Sequence, residues 1–127
     1  MILVTASTGK IGSVIVTELA ARGVSARALI RDRSHARDLP GIEWVVGDYE
    51  DDTSMDAALD GVTMMYLACG ESGRKVALEK RAIDAGVRNS VHHVLKVSAS
   101  DAHDDNASDF RRGNGVIERH LRGSGLD

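Results

Sequence analysis

Five short β-branched runs, alternating with segments of helical spacing, constrain this chain more than any other feature. The runs are Met1–Thr5, Ala26–Ile30, Glu43–Val46, Thr63–Ala68 and His92–Ser98. Each is bounded by Gly, Pro or Asp and too short for a helix, which fits strands buried on both faces of a parallel sheet. Between them, Ile11, Val14, Ile15 and Leu19 lie on one helical face, and Gly23 supplies a stop. Met55, Ala58 and Leu59 predict a short helix after Asp51–Ser54, capped by Thr53 or Ser54. Val76, Lys80, Ile83 and Val87 mark a third helix, and Phe110, Ile117 and Leu121 a fourth, ended by Gly123–Gly125. Only a turn or brief helix fits between the second and third strands, and Asp101–Asp109 reads as a surface loop. Such alternation demands right-handed crossovers. The expected fold is one doubly wound α/β domain over residues 1–127, with about five parallel strands in the order 3-2-1-4-5.

Composition narrows the partners. A chain of 127 residues buries enough surface to fold without a metal or disulfide. Sixteen basic against nineteen acidic residues offer no bulk attraction to nucleic acid or anionic membrane. The aromatic residues are Trp44, Tyr49, Tyr66 and Phe110 alone, too few for a base-stacking platform. The lone Cys69 forms no intrachain disulfide, which suits a reducing cytoplasm. No apolar run approaches the ~20 residues of a membrane span. The first residues read as a strand rather than the basic start of a leader, so the expected location is the cytoplasm.

The segment Thr5-Ala6-Ser7-Thr8-Gly9-Lys10-Ile11-Gly12 follows the first strand and opens the first helix. A helix N-terminus offers free amides and partial positive charge to a pyrophosphate, while small residues let the phosphate approach the backbone. The other reading is a turn that merely packs. The second strand ends Leu29-Ile30-Arg31-Asp32-Arg33, placing Arg31 where a 2′-phosphate of a nucleotide would lie. NADP(H) is therefore favoured, and Asp32, which suits a free ribose diol, keeps NAD(H) open. Asp48, ending the third strand in Val45-Val46-Gly47-Asp48, is placed to meet an adenine edge or to cap the next turn.

In order and spacing these segments resemble the NmrA-like group of atypical short-chain dehydrogenases/reductases. The resemblance runs from Met1-Ile2-Leu3-Val4-Thr5 and Gly9-Lys10-Ile11-Gly12 through Ala28–Asp32, Val46-Gly47-Asp48 and Lys96-Val97-Ser98-Ala99 to Glu118-Arg119 and Leu121–Asp127. It implies a Rossmann-like domain that binds NAD(P)H, in a family whose members reduce quinones, flavins or related acceptors or only sense the nucleotide. It also implies that the chain lacks the C-terminal substrate-binding part usual in the family. The implied cofactor residues are Ala6, Thr8, Gly9, Lys10, Ile11, Gly12, Arg31, Asp48 and Ala68. Ala6 stands where the family usually has Gly. A positive φ there would cost on the order of 1 kcal/mol, so Ala6→Gly is expected to tighten dinucleotide binding. Asn114 stands where a His often precedes the Glu, here Glu118, and Asn cannot shuttle a proton.

The Tyr-x-x-x-Lys pair of carbonyl-reducing relatives is missing, because Tyr49 is followed by Thr53 and Tyr66 by Gly70. A developing alkoxide needs a proton donor, so the residues suit hydride transfer to an already electrophilic acceptor, quinone- or flavin-like. Ser98 is the candidate partner for nicotinamide or acceptor, with Asn114 beside it. Lys96 faces a helix or solvent, and Cys69 reads as a packing residue. No metal site is expected: His92 and His93 point to opposite faces of an extended segment and cannot share an ion. The alternative function is a non-catalytic NADP(H)-binding redox sensor, or a shortened relative acting through a partner. The fifth strand, left as an edge, is expected to mediate self-association.

Overall fold

In the computed structural model, which describes residues 1–127, the elements follow the order read from the sequence. They are β1 (Ile2–Val4), α1 (Lys10–Ala21), β2 (Ala26–Ile30), β3 (Ile42–Val46), α2 (Asp52–Leu59), β4 (Met64–Leu67), α3 (Lys75–Arg88), β5 (His93–Lys96) and α4 (Asp109–Gly123). A single 3-10 turn, Arg33–His35, fills the gap between β2 and β3. Every strand pairing is parallel and the order is β3-β2-β1-β4-β5, the doubly wound, Rossmann-like arrangement. The chain changes direction across the sheet between β1 and β4, so their carboxyl ends open a crevice.

Local chemistry sets the helix ends. Gly23 takes φ +67 just past α1, where the left-handed conformation is free of Cβ strain, and its amide donates to Ala20 O at 3.1 Å. The cap of α2 is Asp51 rather than Thr53 or Ser54. Its Oδ1 accepts from the amides of Thr53 (3.1 Å) and Ser54 (3.4 Å). That leaves the Ser54 hydroxyl to accept the Asp48 amide at 3.1 Å.

The two sheet faces are covered unequally. On one, Leu3, Leu29 and Met65 pack against Met55, Ala58 and Leu59 of α2 and Ala85 of α3, while Leu67 meets Ala82, Ile83 and Ile117 of α3 and α4. On the other, Val16 of α1 lies against Val4, Ala28 and Tyr66. One helix cannot cover five strands. The expected burial on both faces therefore holds for the central strands, apart from Met64 at the start of β4, and fails at the edges, where Val46 of β3 and Leu95 of β5 stand exposed, Leu95 at 64%. The outer edge of β5 is not bare: Val94 N donates to Asp127 O (2.7 Å) and Asp127 N to His92 O (3.0 Å), a parallel bridge at one register.

The buried stripe of α3 also departs from expectation. Ile83 is in it, but Lys80 and Val87 are not; Lys75, Glu79, Ala82, Ala85 and Gly86 are. The small Ala and Gly residues let α3 lie close to the sheet, while Lys75 pairs with Glu71 and Glu79 faces Lys96. No helix is long and apolar enough to cross a membrane.

Candidate functional site

The turn between β1 and α1 is held from beneath by two buried hydroxyls. Thr5 Oγ1 donates to Tyr66 O at 2.9 Å and accepts the Ala68 amide at 3.0 Å, locking β1 to β4. Ser7 Oγ donates to Leu29 O at 2.6 Å, locking the turn to β2. Between them Ala6 is forced to φ +47, and its carbonyl accepts the Gly9 amide at 2.9 Å. Gly12 is required by contact rather than by φ: a Cβ there would sit 2.2 Å from Ala6 O. With the Thr5 and Ser7 hydroxyls and the Ala6 carbonyl committed, the amides of Thr8, Lys10, Ile11 and Gly12 have no partner within the chain, and α1 has no side-chain cap. Its first turn carries no acidic side chain. An amide cluster at a helix N-terminus fits the diphosphate of a dinucleotide in charge and in donor chemistry.

The turn opens on a cleft of about 520 Å³ at the carboxyl ends of the strands. Six sequence-predicted residues line it together: Ala6, Thr8, Gly9, Arg31, Asp48 and Ala68. Gly12 lies buried beneath the turn, while Lys10 and Ile11 are exposed on the first turn of α1 and contribute backbone rather than side-chain walls.

At the β2 end Arg31 is exposed and makes no ion pair or hydrogen bond, whereas its neighbours are engaged. Asp32 turns back to cap the 3-10 turn, its Oδ1 accepting from Ser34 N at 2.8 Å, and this bond holds its carboxyl below the usual range. Arg33 donates to Trp44 O at 3.2 Å. At the β3 end Asp48 Oδ1 accepts the Glu50 amide at 2.9 Å, leaving the second oxygen facing outward. Asp48 thus both caps its own turn and lines the cleft.

Tyr49 was not singled out for the site. Its phenol donates to Ala68 O at 2.8 Å across the cleft floor, and burial pushes it well above the ordinary tyrosine range. Cys69 lines the same wall; burial first, and the Glu79 carboxylate second, raise its thiol, so it stays neutral. The only sequence signal for Tyr49 was its place directly after Asp48.

The β5–α4 side is built differently. Ser98 is exposed and donates to Glu118 Oε1, whose other oxygen accepts from Arg122 Nη2 at 2.8 Å. Asn114 is only 1% exposed, accepting from Lys96 Nζ at 2.8 Å and donating to Phe110 O at 2.9 Å. Neither Ser98 nor Asn114 lines the cleft. Lys96 faces inward: Nζ also donates to Val97 O at 2.5 Å and stands 3.1 Å from Glu79 Oε2. Glu79 is wholly buried, and neither of its oxygens has a hydrogen bond of good geometry. Burial raises its carboxyl, and Lys96 only partly offsets that. The signal for this pair was a Glu one turn after Lys75 in an apolar stripe, opposite a Lys inside a strand.

A family model described as NAD(P)H-binding matches residues 6–127. An NAD(P)H azoreductase of Xenophilus azovorans is 29% identical over 99% of this chain and 45% of its own length. A (4-alkanoyl-5-oxo-2,5-dihydrofuran-3-yl)methyl phosphate reductase of Streptomyces griseus is 33% identical, over 99% of this chain and 44% of that protein. Among solved structures, an Escherichia coli NADPH-dependent quinone oxidoreductase complexed with NADPH superposes with a TM-score of 0.87 at 26% identity, covering 99% of this chain and 46% of that one. Triphenylmethane reductase of Citrobacter sp., complexed with NADP(H), shares the fold at a TM-score of 0.87 and 21% identity, covering 99% and 46%. The chain spans less than half the length of each of these proteins.

Proposed function

The chain belongs to the NAD(P)H-binding family, and from that premise we propose that it is the dinucleotide-binding unit of an NmrA-like oxidoreductase that passes hydride from NADPH to a quinone- or flavin-like acceptor. The observation that carries this reading is the run of unpartnered amides at the start of α1, opening on a cleft whose far end holds an unpaired Arg31. The amides of Thr8, Lys10, Ile11 and Gly12 bind the diphosphate, Ala6 and Gly9 let it approach, and Ala68 closes the opposite wall. Arg31 meets a 2′-phosphate in the bidentate manner of guanidinium groups. Asp32, turned back on its own loop, is not offered to a ribose diol, which favours NADP(H) over NAD(H). Asp48 presents its free oxygen to the adenine amino group.

The cofactor, when bound, supplies the hydride. This chain's own groups bind and orient, and none lining the cleft is poised to give a proton: Tyr49 is held on Ala68 O, and burial makes the Cys69 thiol hold its proton more tightly. That suits an electrophilic acceptor taking its proton from water. The names of the azoreductase and the quinone oxidoreductase support the same reaction class. Self-association through the β5 edge belongs to this reading. With the Val94 amide taken by Asp127, it rests on exposed Leu95 and the neighbouring Met64.

A second reading, a nucleotide sensor without turnover, draws on the position of Ser98 and Asn114 outside the cleft. Titration with NADPH and NADH, followed by NADPH oxidation against a panel of quinones, separates the two. Arg31→Ala is expected to weaken NADPH about tenfold and leave NADH within about twofold. An equal loss for both would remove the 2′-phosphate assignment. Binding without oxidation favours the sensor, and no binding of either dinucleotide defeats both readings.

A further inference from the structure

Arg74, Arg81 and Arg88 lie seven residues apart, a spacing that returns to the same helical stripe every two turns. Arg74 caps α3 and the other two lie within it. The stripe faces three carboxylates from the segment after β3, namely Glu50, Asp52 and Asp56.

The rungs differ in what they hold. Arg74 Nη2 pairs with Glu50 Oε1, and both residues line the cleft. Arg81 reaches the main chain: Nε donates to Tyr49 O at 2.9 Å, and Nη2 to Glu50 O and Asp52 Oδ1, each at 3.0 Å. Arg88 meets Asp56 Oδ1 at 3.1 Å and Asp52 Oδ1 at 3.4 Å on α2, and touches no residue of the cleft. The segment so held, Asp48–Glu50, is the wall at the β3 end of the cleft. Its remaining ties are few, chiefly the Tyr49 phenol to Ala68 O and the Asp48 amide to Ser54.

We infer that Arg81, with Arg74, is a positioning residue for the adenosine half of the dinucleotide, stitching the loop after β3 to α3 so that the cleft keeps its binding width. The inference rests on the dinucleotide reading above and adds a device to it. An exposed ion pair such as Arg74–Glu50 is individually weak. The Arg81 fork is different, because it grips two consecutive carbonyls and so fixes backbone as well as charge. When the loop spends only part of its time in place, apparent affinity falls by that fraction.

The experiment is calorimetric titration of the full chain with NADPH, with 2′,5′-ADP for the adenosine half, and with reduced nicotinamide mononucleotide for the other half. Arg81→Gln is expected to weaken NADPH and 2′,5′-ADP alike by about five-fold and to leave the mononucleotide unchanged. Arg74→Gln is expected to cost 2′,5′-ADP about twofold. Arg88→Gln removes ion pairs from the same helix yet keeps both fragment affinities, so a general loss of stability cannot mimic the pattern. Arg81→Lys keeps the charge without the fork, and carries the test should the Gln variant not fold. It is expected to weaken 2′,5′-ADP while sparing the mononucleotide. Unchanged 2′,5′-ADP affinity in a folded Arg81 variant, or equal loss for both fragments, overturns the inference. If the unsubstituted chain binds neither NADPH nor 2′,5′-ADP, the dinucleotide reading itself has failed and the inference falls with it.

Discussion

The two sides of the crevice use polar groups in opposite ways. Around β1, β2 and β3, buried hydroxyls are spent on the backbone so that other groups are left free: the Thr8 amide, three amides of the first turn of α1 and Arg31 have no partner within the chain. Around β5 and α4 the polar groups are turned on one another, with only the Glu79 oxygens left short of a well-formed hydrogen bond. Lys96 holds Glu79 and Asn114, and Ser98 donates a hydrogen bond to Glu118. A surface built to bind keeps its donors unpaired, and a surface built to hold elements together does not. Unpaired donors therefore gather in one half of the molecule, the half to which binding is assigned above, and mutual pairing in the other.

Breaking the architectural half should produce the largest effect. Lys96→Met strips the ion-paired cation from the wholly buried Glu79, at a cost of about 3–5 kcal/mol when that carboxylate is ionised. Burial already raises the Glu79 carboxyl in the folded protein, and a raised folded value means stability is lost as pH rises through it. Urea unfolding should accordingly find the variant's deficit larger near pH 8 than near pH 5. A pH-independent deficit would count against an ionised Glu79. Surviving variant protein should bind NADPH as before, because Lys96 lies outside the cleft.

The binding half should fail in the converse way. Gly12→Ala drives a methyl group to within 2.2 Å of Ala6 O, so the turn must shift and its amides diverge. NADPH affinity should drop on the order of fifty-fold, with a smaller change in the thermal midpoint. A fall in midpoint without loss of binding would erase the contrast between the halves.

The smallest effect sharpens the comparison. Ala6 takes φ +47 because Thr5, Ser7 and Gly9 hold the turn around it, so the Cβ strain belongs to the fold. Ala6→Gly should then raise stability by about 1 kcal/mol, a few degrees in Tm, rather than tighten binding as the sequence suggests. Calorimetry beside an NADPH titration distinguishes the two: a tenfold gain in affinity with unchanged Tm would put the strain back in the complex.

The layered fold was legible because burial writes itself as pattern. Short β-branched runs and the Gly23 stop both landed within a residue or two of the observed elements. So was the tight turn that opens α1, since small residues between strand and helix are a local requirement. What the sequence hid depends on geometry across the chain. Glu79 and Lys96 are 17 positions apart, and nothing local to Lys96, read as facing a helix or solvent, points to its partner. Asn114 is placed near chemistry by resemblance and Ser98 by its strand end; in the fold α4 carries Asn114 inward and its Glu118 takes up the Ser98 hydroxyl. Asp32 looked like a rival to Arg31 until its carboxylate was seen closing its own turn.

The Thr5 hydroxyl acts as a rivet where the sheet would otherwise part. It accepts the Ala68 amide at 3.0 Å and reaches Tyr66 O at 2.9 Å, at the junction where the two halves of the winding diverge. A strand's end normally frays, and its amide protons trade with solvent long before the domain opens. Here one side-chain oxygen withholds the Ala68 proton from that traffic. Deuterium should enter at Ala68 only when β1 and β4 separate together.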